Sequence, residues 1–180
     1  MGILQSLDIE AFLHQSVGEW MSQQTSHQVA FRRYESGQST LEIEWVRADA
    51  PEAIAACEQH GLNPAIALGG LSTTWRGRLG QETVERTERN LLILLPDRDN
   101  PRQGKLVYQL NGDRQSSVRG TYSLGSDEAL TLITIDKETS LQERIWFASE
   151  NLRLRSAVCK QQGGFSTASL NSDIRRLSRS

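Results

Sequence analysis

The feature that most restricts this chain is a succession of short segments in which apolar and polar residues alternate, each cut off by turn-forming residues. Leu41, Ile43 and Trp45 alternate with Glu42 and Glu44, and Leu71, Thr73 and Trp75 repeat the pattern. A period of two puts successive side chains on opposite faces of a strand, so each run has one face to bury. Further runs lie at 83–95, 105–110, 118–124, 130–135, 141–148, 152–160 and 165–170. Asn111-Gly112-Asp113, Gly125-Ser126-Asp127 and Ser149-Glu150-Asn151 separate them, and Pro96-Asp97-Arg98-Asp99-Asn100-Pro101 cannot continue a central strand. Nine or ten short antiparallel strands present sheet edges that closure removes, so the expected fold is all-β, an antiparallel β-barrel of about ten strands.

Two helices are expected early. Ser6 and Asp8 can cap a short one in which Leu7, Phe12 and Leu13 share a face and which stops near Gly18. Pro51 opens the second, with Ala53, Ile54, Ala56 and Cys57 following and Gly61 ending it. Between them a hairpin is expected from 24–35 and 40–46 around the turn Ser36-Gly37-Gln38. With 180 residues there is material for one core, so residues 1–175 are expected to form a single barrel domain and 176–180 a polar tail. The segment 172–180, with Arg175, Arg176 and Arg179, is expected to fray.

Composition excludes several function classes. A formal net charge of −2 gives no electrostatic call for nucleic acid, and there is no apolar run long enough to span a bilayer. Cys57 and Cys159 are far apart, and His14, His27 and His60 are scattered, so no metal site is expected. Residues 1–16 contain Asp8 and Glu10 and lack a basic start and an apolar stretch, so no signal or transit peptide is expected. No phosphate loop or nucleophile elbow is present.

Two pieces can carry function. Gly18-Glu19-Trp20 follows the first helix as the Gly-x-Trp of lipocalin-type barrels does, where the indole closes the barrel floor. Arg153 and Arg155 lie two apart and share one strand face, and a turn centred on Glu150 sets Phe147 opposite Arg153, Ile145 opposite Arg155 and Glu143 on the arginine face. That face is either a solvated outer ion pair or part of an interior cup, and parity leaves the choice open. Inside, two guanidinium groups need an anionic partner, which a ligand with two carboxylates would supply. Seventeen of the 20 basic residues are arginine, the side chain suited to bidentate carboxylate recognition. Trp75 can offer a flat wall to a conjugated ring system.

Several stretches resemble the CpcS/CpeS phycobiliprotein chromophore lyases: Gly18-Glu19-Trp20-Met21-Ser22, Asn100-Pro101-Arg102-Gln103-Gly104, Leu124-Gly125-Ser126-Asp127-Glu128, Glu143-Arg144-Ile145-Trp146-Phe147, Asn151-Leu152-Arg153-Leu154-Arg155 and Gly163-Gly164-Phe165-Ser166. They run in order along the whole chain. The resemblance implies a lipocalin-like or fatty-acid-binding-protein-like barrel with an N-terminal helix and one short inserted helix. It implies that a phycobilin, phycocyanobilin among them, is bound non-covalently and attached through a thioether to a cysteine of an apo-phycobiliprotein subunit of phycocyanin, allophycocyanin or phycoerythrin type. Glu143 takes the catalytic position, Arg153, Arg155 and Trp75 the ligand-binding positions, and no cofactor is permanently bound. A homodimer, or a heterodimer with a related lyase subunit, in a cyanobacterial cytoplasm rather than a plastid is also implied. The stretch after Trp20 departs from the family pattern, with Met21, Gln24 and Gln28 where Phe, Arg and His are usual. The alternative function is a non-catalytic carrier of a bilin, a fatty acid or another small carboxylate.

Overall fold

Alternating residues on ten successive segments pair into one antiparallel ladder that closes on itself. The computed structural model describes residues 8–28, 33–78, 83–111, 116–164 and 166–177, with backbone alone at 33 and 34. The strands are β1 (Gly18–Gln28), β2 (Arg33–Val46), β3 (Gly69–Gly77), β4 (Arg86–Pro96), β5 (Gln103–Gln109), β6 (Ser117–Leu124), β7 (Leu130–Ile135), β8 (Thr139–Ser149), β9 (Leu152–Gln161) and β10 (Ser166–Arg175). Each pairs with its successor, and β1 pairs with both β2 and β10, which completes the barrel. The all-β barrel expected from the alternation is the observed fold.

One end of the barrel is shut. Helix α1 (Ile9–Ser16) starts at Asp8, whose carboxylate accepts the Ala11 amide at 2.7 Å, and it lays Phe12 and Leu13 across the floor, both fully buried. Ser6 and Leu7 lie outside the described residues. Trp20 is 0% exposed and its indole donates to the Ser16 carbonyl at 2.9 Å. The Arg175 guanidinium lies 4.1 Å from the centre of that ring and donates to the carbonyls of Val17 and Gln15 at 2.7 and 2.6 Å. Gly18 has φ +133, and a Cβ there would sit 2.7 Å from the same guanidinium. Glycine is therefore demanded both by the turn beneath Trp20 and by the cation that crosses it.

Helix α2 (Pro51–Gln59) packs on the outside of the wall. Ala53, Ala56 and Cys57 cover Val46, Leu91, Ile93, Leu95 and Val107, forming a second apolar layer. This explains the unbroken run from Leu91 to Leu95 in an antiparallel strand: Leu92 and Leu94 face the interior, while their neighbours face α2. Gly61, at φ +64, ends the excursion. Gly70 has its own reason, since a Cβ would collide with the Leu92 carbonyl on the neighbouring strand.

Two expected boundaries are corrected. Ser36-Gly37-Gln38 is no turn; it lies within β2, paired with Thr25, Gln24 and Gln23 of β1, and the ladder continues to Gln28 and Arg33. Polar side chains dominate both strands there, so the ladder rather than an apolar pattern sets the pairing. Residues 172–175 do not fray. They complete β10, because Asp173 is buried beside Arg153, Arg175 seals the floor, and the Arg176 amide still donates to the Glu19 carbonyl at 2.8 Å. Phe165 and residues 178–180 lie outside the described residues.

Replacing Trp20 with alanine opens a cavity under the cup and should lower the unfolding free energy by about 3–5 kcal/mol, read as a lower urea midpoint.

Candidate functional site

The arginine face looks inward. Phe147 stands opposite Arg153 and Ile145 opposite Arg155, the register implied by a turn at Glu150, and Glu143 pairs with Ala157 on the same face. Arg153 is buried, its side chain 5% exposed, with its guanidinium 5.2 Å from the centre of the Trp20 ring. Arg155 and Glu143 lie higher in the barrel, each 20% exposed. The outer ion-pair arrangement is thus ruled out by geometry.

The two guanidiniums already have a partner within the chain. Asp173, 0% exposed, accepts from Arg153 Nε at 3.0 Å and from Arg155 Nε at 2.7 Å through one oxygen, and from Arg155 Nη2 at 3.2 Å through the other. Glu143 Oε1 lies 3.6 Å from Arg155 Nη1. This corrects the expectation that only an anionic ligand could compensate the pair: two carboxylates balance two guanidiniums. Burial disfavours the Asp173 charge, but Arg155 and Arg153 outweigh it and hold the carboxyl below its ordinary value. Burial and the neighbouring Arg155 push Arg153 down to about 10, which leaves it protonated at neutral pH. Burial also opposes the Arg155 charge, but Asp173 and Glu143 prevail and raise it.

Above this cluster is a cavity of about 240 Å³ open toward the end opposite α1. Glu143, Arg153, Arg155 and Trp75 all line it, so the structure brings the four expected site residues together. Apolar walls come from Leu41, Leu71, Leu92, Leu132 and Ile145. Such a cup, polar on one side and apolar with an aromatic plane on the other, suits a flat conjugated ligand that carries carboxylates. A larger groove of about 690 Å³ lies outside β1, β2 and β3, but it is lined mostly by polar surface residues, and Arg76 there is already 3.6 Å from Glu42. The interior cup is the candidate site. Among the described residues no cluster of His, Cys, Asp and Glu could hold a metal.

Sequence reasoning missed Asp173, Tyr108, Glu88, Asn90 and Gln24, which also belong to the cup or its base. Asp173 sits opposite Arg153 and two residues from buried Asn171, an inward alternation that was hidden in a segment rich in arginine and serine. Tyr108 shares parity with Leu106. Of the three departures from the family pattern, Gln24 lines the cup and Met21 is on the outer surface, 54% exposed.

Asp173→Asn should cost about 3–5 kcal/mol at pH 7, because it leaves a buried guanidinium pair undercompensated. The folded-state carboxyl titrates below its ordinary value of 3.8. Its contribution is therefore complete above that value and disappears as pH falls through the lower folded one. Urea unfolding of both proteins should show the gap narrowing below about pH 4.

A model of the CpeS-like protein family matches residues 8–176. A chromophore lyase CpcS/CpeS from Thermosynechococcus vestitus is 42% identical, covering 94% of this chain and 93% of the relative. A phycocyanobilin lyase subunit CpcS from Picosynechococcus is 35% identical over 89% of this chain and 82% of its own. Among solved structures, the S-type phycobiliprotein lyase CPES from Guillardia theta superimposes with a TM-score of 0.83 at 30% identity, covering 96% of this chain and 94% of that one. With nearly the whole barrel matched in family, sequence and three-dimensional form, the chain belongs to the CpeS-like family, that of the CpcS/CpeS chromophore lyases.

Proposed function

We propose that the protein is a phycobiliprotein chromophore lyase that holds a linear tetrapyrrole, phycocyanobilin in the first instance, non-covalently in the cup and directs its attachment to a cysteine of an apo-phycobiliprotein subunit of phycocyanin, allophycocyanin or phycoerythrin type. The observation that carries this reading is the convergence of Arg153, Arg155 and Glu143 on an aromatic-walled cavity closed at one end. Arg155 retains access to the cavity, and Asp173 holds it and Arg153 in place, so the propionates of a bilin meet guanidinium N–H donors in a fixed position. Glu143 accepts the pyrrole N–H groups and stabilises a protonated tetrapyrrole, while Trp75 lies against the conjugated plane.

The reaction is a redox-neutral addition. The client's thiolate forms a C–S bond at the exocyclic carbon, the C=C π pair moves into the protonated tetrapyrrole, and the thiol's proton ends on ring carbon. The lyase supplies orientation and charge complementarity, and the nucleophile comes from the client. A linear tetrapyrrole is larger than a cavity of about 240 Å³, so in this reading its reactive end projects through the mouth, where a thiolate can reach it. The bilin is the transferred ligand, and no permanent cofactor takes part. Among the described residues no helix is long and apolar enough to cross a membrane, and the curated relatives named above are cyanobacterial; a cyanobacterial cytoplasm is the setting this reading assigns.

The working unit in this reading is a homodimer. The outer face of β8, β9, β10 and β1 carries Met21, Leu170 and Ile174, each more than half exposed, with Leu152 and Met21 flanking Ile174 in register. Its charged outward positions, Arg144, Lys160 and Glu19, lie at the margin, so two copies can meet there without burying like charges. Ile174→Glu should convert the dimer to monomer in sedimentation velocity.

Mixing the protein with phycocyanobilin should give a red-shifted, intensified visible band, followed by acid-stable colour on an added apo-subunit. Arg155→Ala should weaken binding about tenfold to a hundredfold, and Glu143→Gln should remove much of the red shift and slow transfer about a hundredfold. Binding without transfer to any apo-subunit would identify a carrier instead, and absence of binding would overturn the site.

A further inference from the structure

The wall facing the arginines carries a polar group that the proposed mechanism does not use. Glu88 and Asn90 on β4 and Tyr108 on β5 line the same cavity as Glu143 and Arg155. Glu88 stands opposite Trp75 in the β3–β4 ladder, at the mouth end of the barrel. Leu92, two residues further in than Asn90, is directly opposite Tyr108. Arg153, Arg155, Asp173 and Glu143 pair with one another on β8, β9 and β10, while Glu88, Asn90 and Tyr108 stand on β4 and β5.

Its hydrogen-bond directions are fixed by its surroundings. Asn90 Oδ1 accepts the Asn111 amide at 3.3 Å, so its NH2 is the group turned toward the phenol oxygen of Tyr108. Burial drives the Tyr108 phenol well above its usual range, the carboxylates of Glu143 and Glu88 reinforce the shift, and Arg155 opposes it. The hydroxyl therefore keeps its proton at any working pH and is a donor toward the cavity. Glu88 is the next inward-facing position beyond Asn90 on β4, and its carboxylate is an acceptor. A donor and an acceptor on one wall of the cavity, with Asn90 between them, complement a cis-lactam, which offers a carbonyl and an N–H along one edge; a linear tetrapyrrole ends in such a ring.

We infer that Tyr108 and Glu88 bind one terminal lactam of the bilin, Tyr108 donating to its carbonyl and Glu88 accepting from its N–H, and so decide which way round the tetrapyrrole lies in the cup. The inference rests on the bilin reading above. Carboxylates on the arginines anchor the middle of the ligand, whose two halves are nearly alike, and they leave end-for-end orientation undetermined. A lactam grip near the mouth removes that ambiguity, because the client must meet one specific end. Glu143 has a different task, since it faces the inner nitrogens from β8.

The test uses phycocyanobilin and the full chain carrying Tyr108→Phe, Glu88→Gln or both. Each single change should weaken binding about fivefold to tenfold, the usual cost of one hydrogen bond in a cavity. The double variant should lose clearly less than the product of the two single losses, because both groups hold one ring. Chromopeptides cut from the apo-subunit after transfer should form one species with the wild type and a mixture with the variants. Glu88 is partly exposed, so its variant folds and keeps the test valid should Tyr108→Phe fail to fold. Variants that bind as tightly as wild type, or a double loss equal to the product, would overturn the lactam grip and leave the lyase reading standing. A wild-type protein that binds no bilin would overturn both.

Discussion

One carboxylate holds the interior together. Asp173 takes hydrogen bonds from both Arg153 and Arg155, which lets two cations be buried next to a largely apolar core. The arrangement also dictates register. A one-residue slip of β10 would turn Asp173 to solvent and leave both guanidiniums unmatched, a penalty that far exceeds the small differences between alternative ladders. The pairings of β9 with β10 and of β10 with β1 are therefore specified by charge as well as by hydrophobic alternation.

The barrel is asymmetric along its axis, and the asymmetry follows from where its aromatic and cationic residues fall. At the floor, Phe147 meets Phe12 edge to face and Trp20 at a tilt, and the guanidiniums of Arg175 and Arg153 lie over the indole. Polarity then rises toward the open end, through Arg155 and Glu143 to Glu88. In the function proposed above, the carboxylates of an entering ligand meet Arg155 and the ligand stops at a rigid base.

Much of this could be read from the chain itself. Alternation over Leu71, Thr73 and Trp75 marked a strand, and the short turn at Glu150 fixed how β8 faces β9, which put Glu143 on the arginine face. Whether that face was inner or outer could not follow from period two, because inverting every side chain gives the same pattern. The inner choice depends on Trp20 and Arg153 sharing one interior, a contact between opposite ends of the sequence. Asp173 escaped for a related reason. Its neighbours Ser172 and Arg175 look like those of a solvated tail, and only the position of Arg153 across the ladder makes Asp173 an interior residue. The turn assigned to Ser36-Gly37-Gln38 failed because glycine and serine mark a reversal only where the ladder does not continue through them.

The pairing of β1 with β10 also sets the order of events when the chain folds. Nine of the ten ladders join consecutive strands and can form locally, whereas this one brings together segments from opposite ends of the sequence. Until β10 docks, Arg153 and Arg155 lack the Asp173 carboxylate, Trp20 lacks its covering guanidinium, and the sheet has two open edges. A nascent chain therefore carries an open nine-stranded sheet with uncompensated arginines until its last strand is in place. Closure by β10 acts as a late checkpoint: the step that neutralises the interior is the one that finishes the cup.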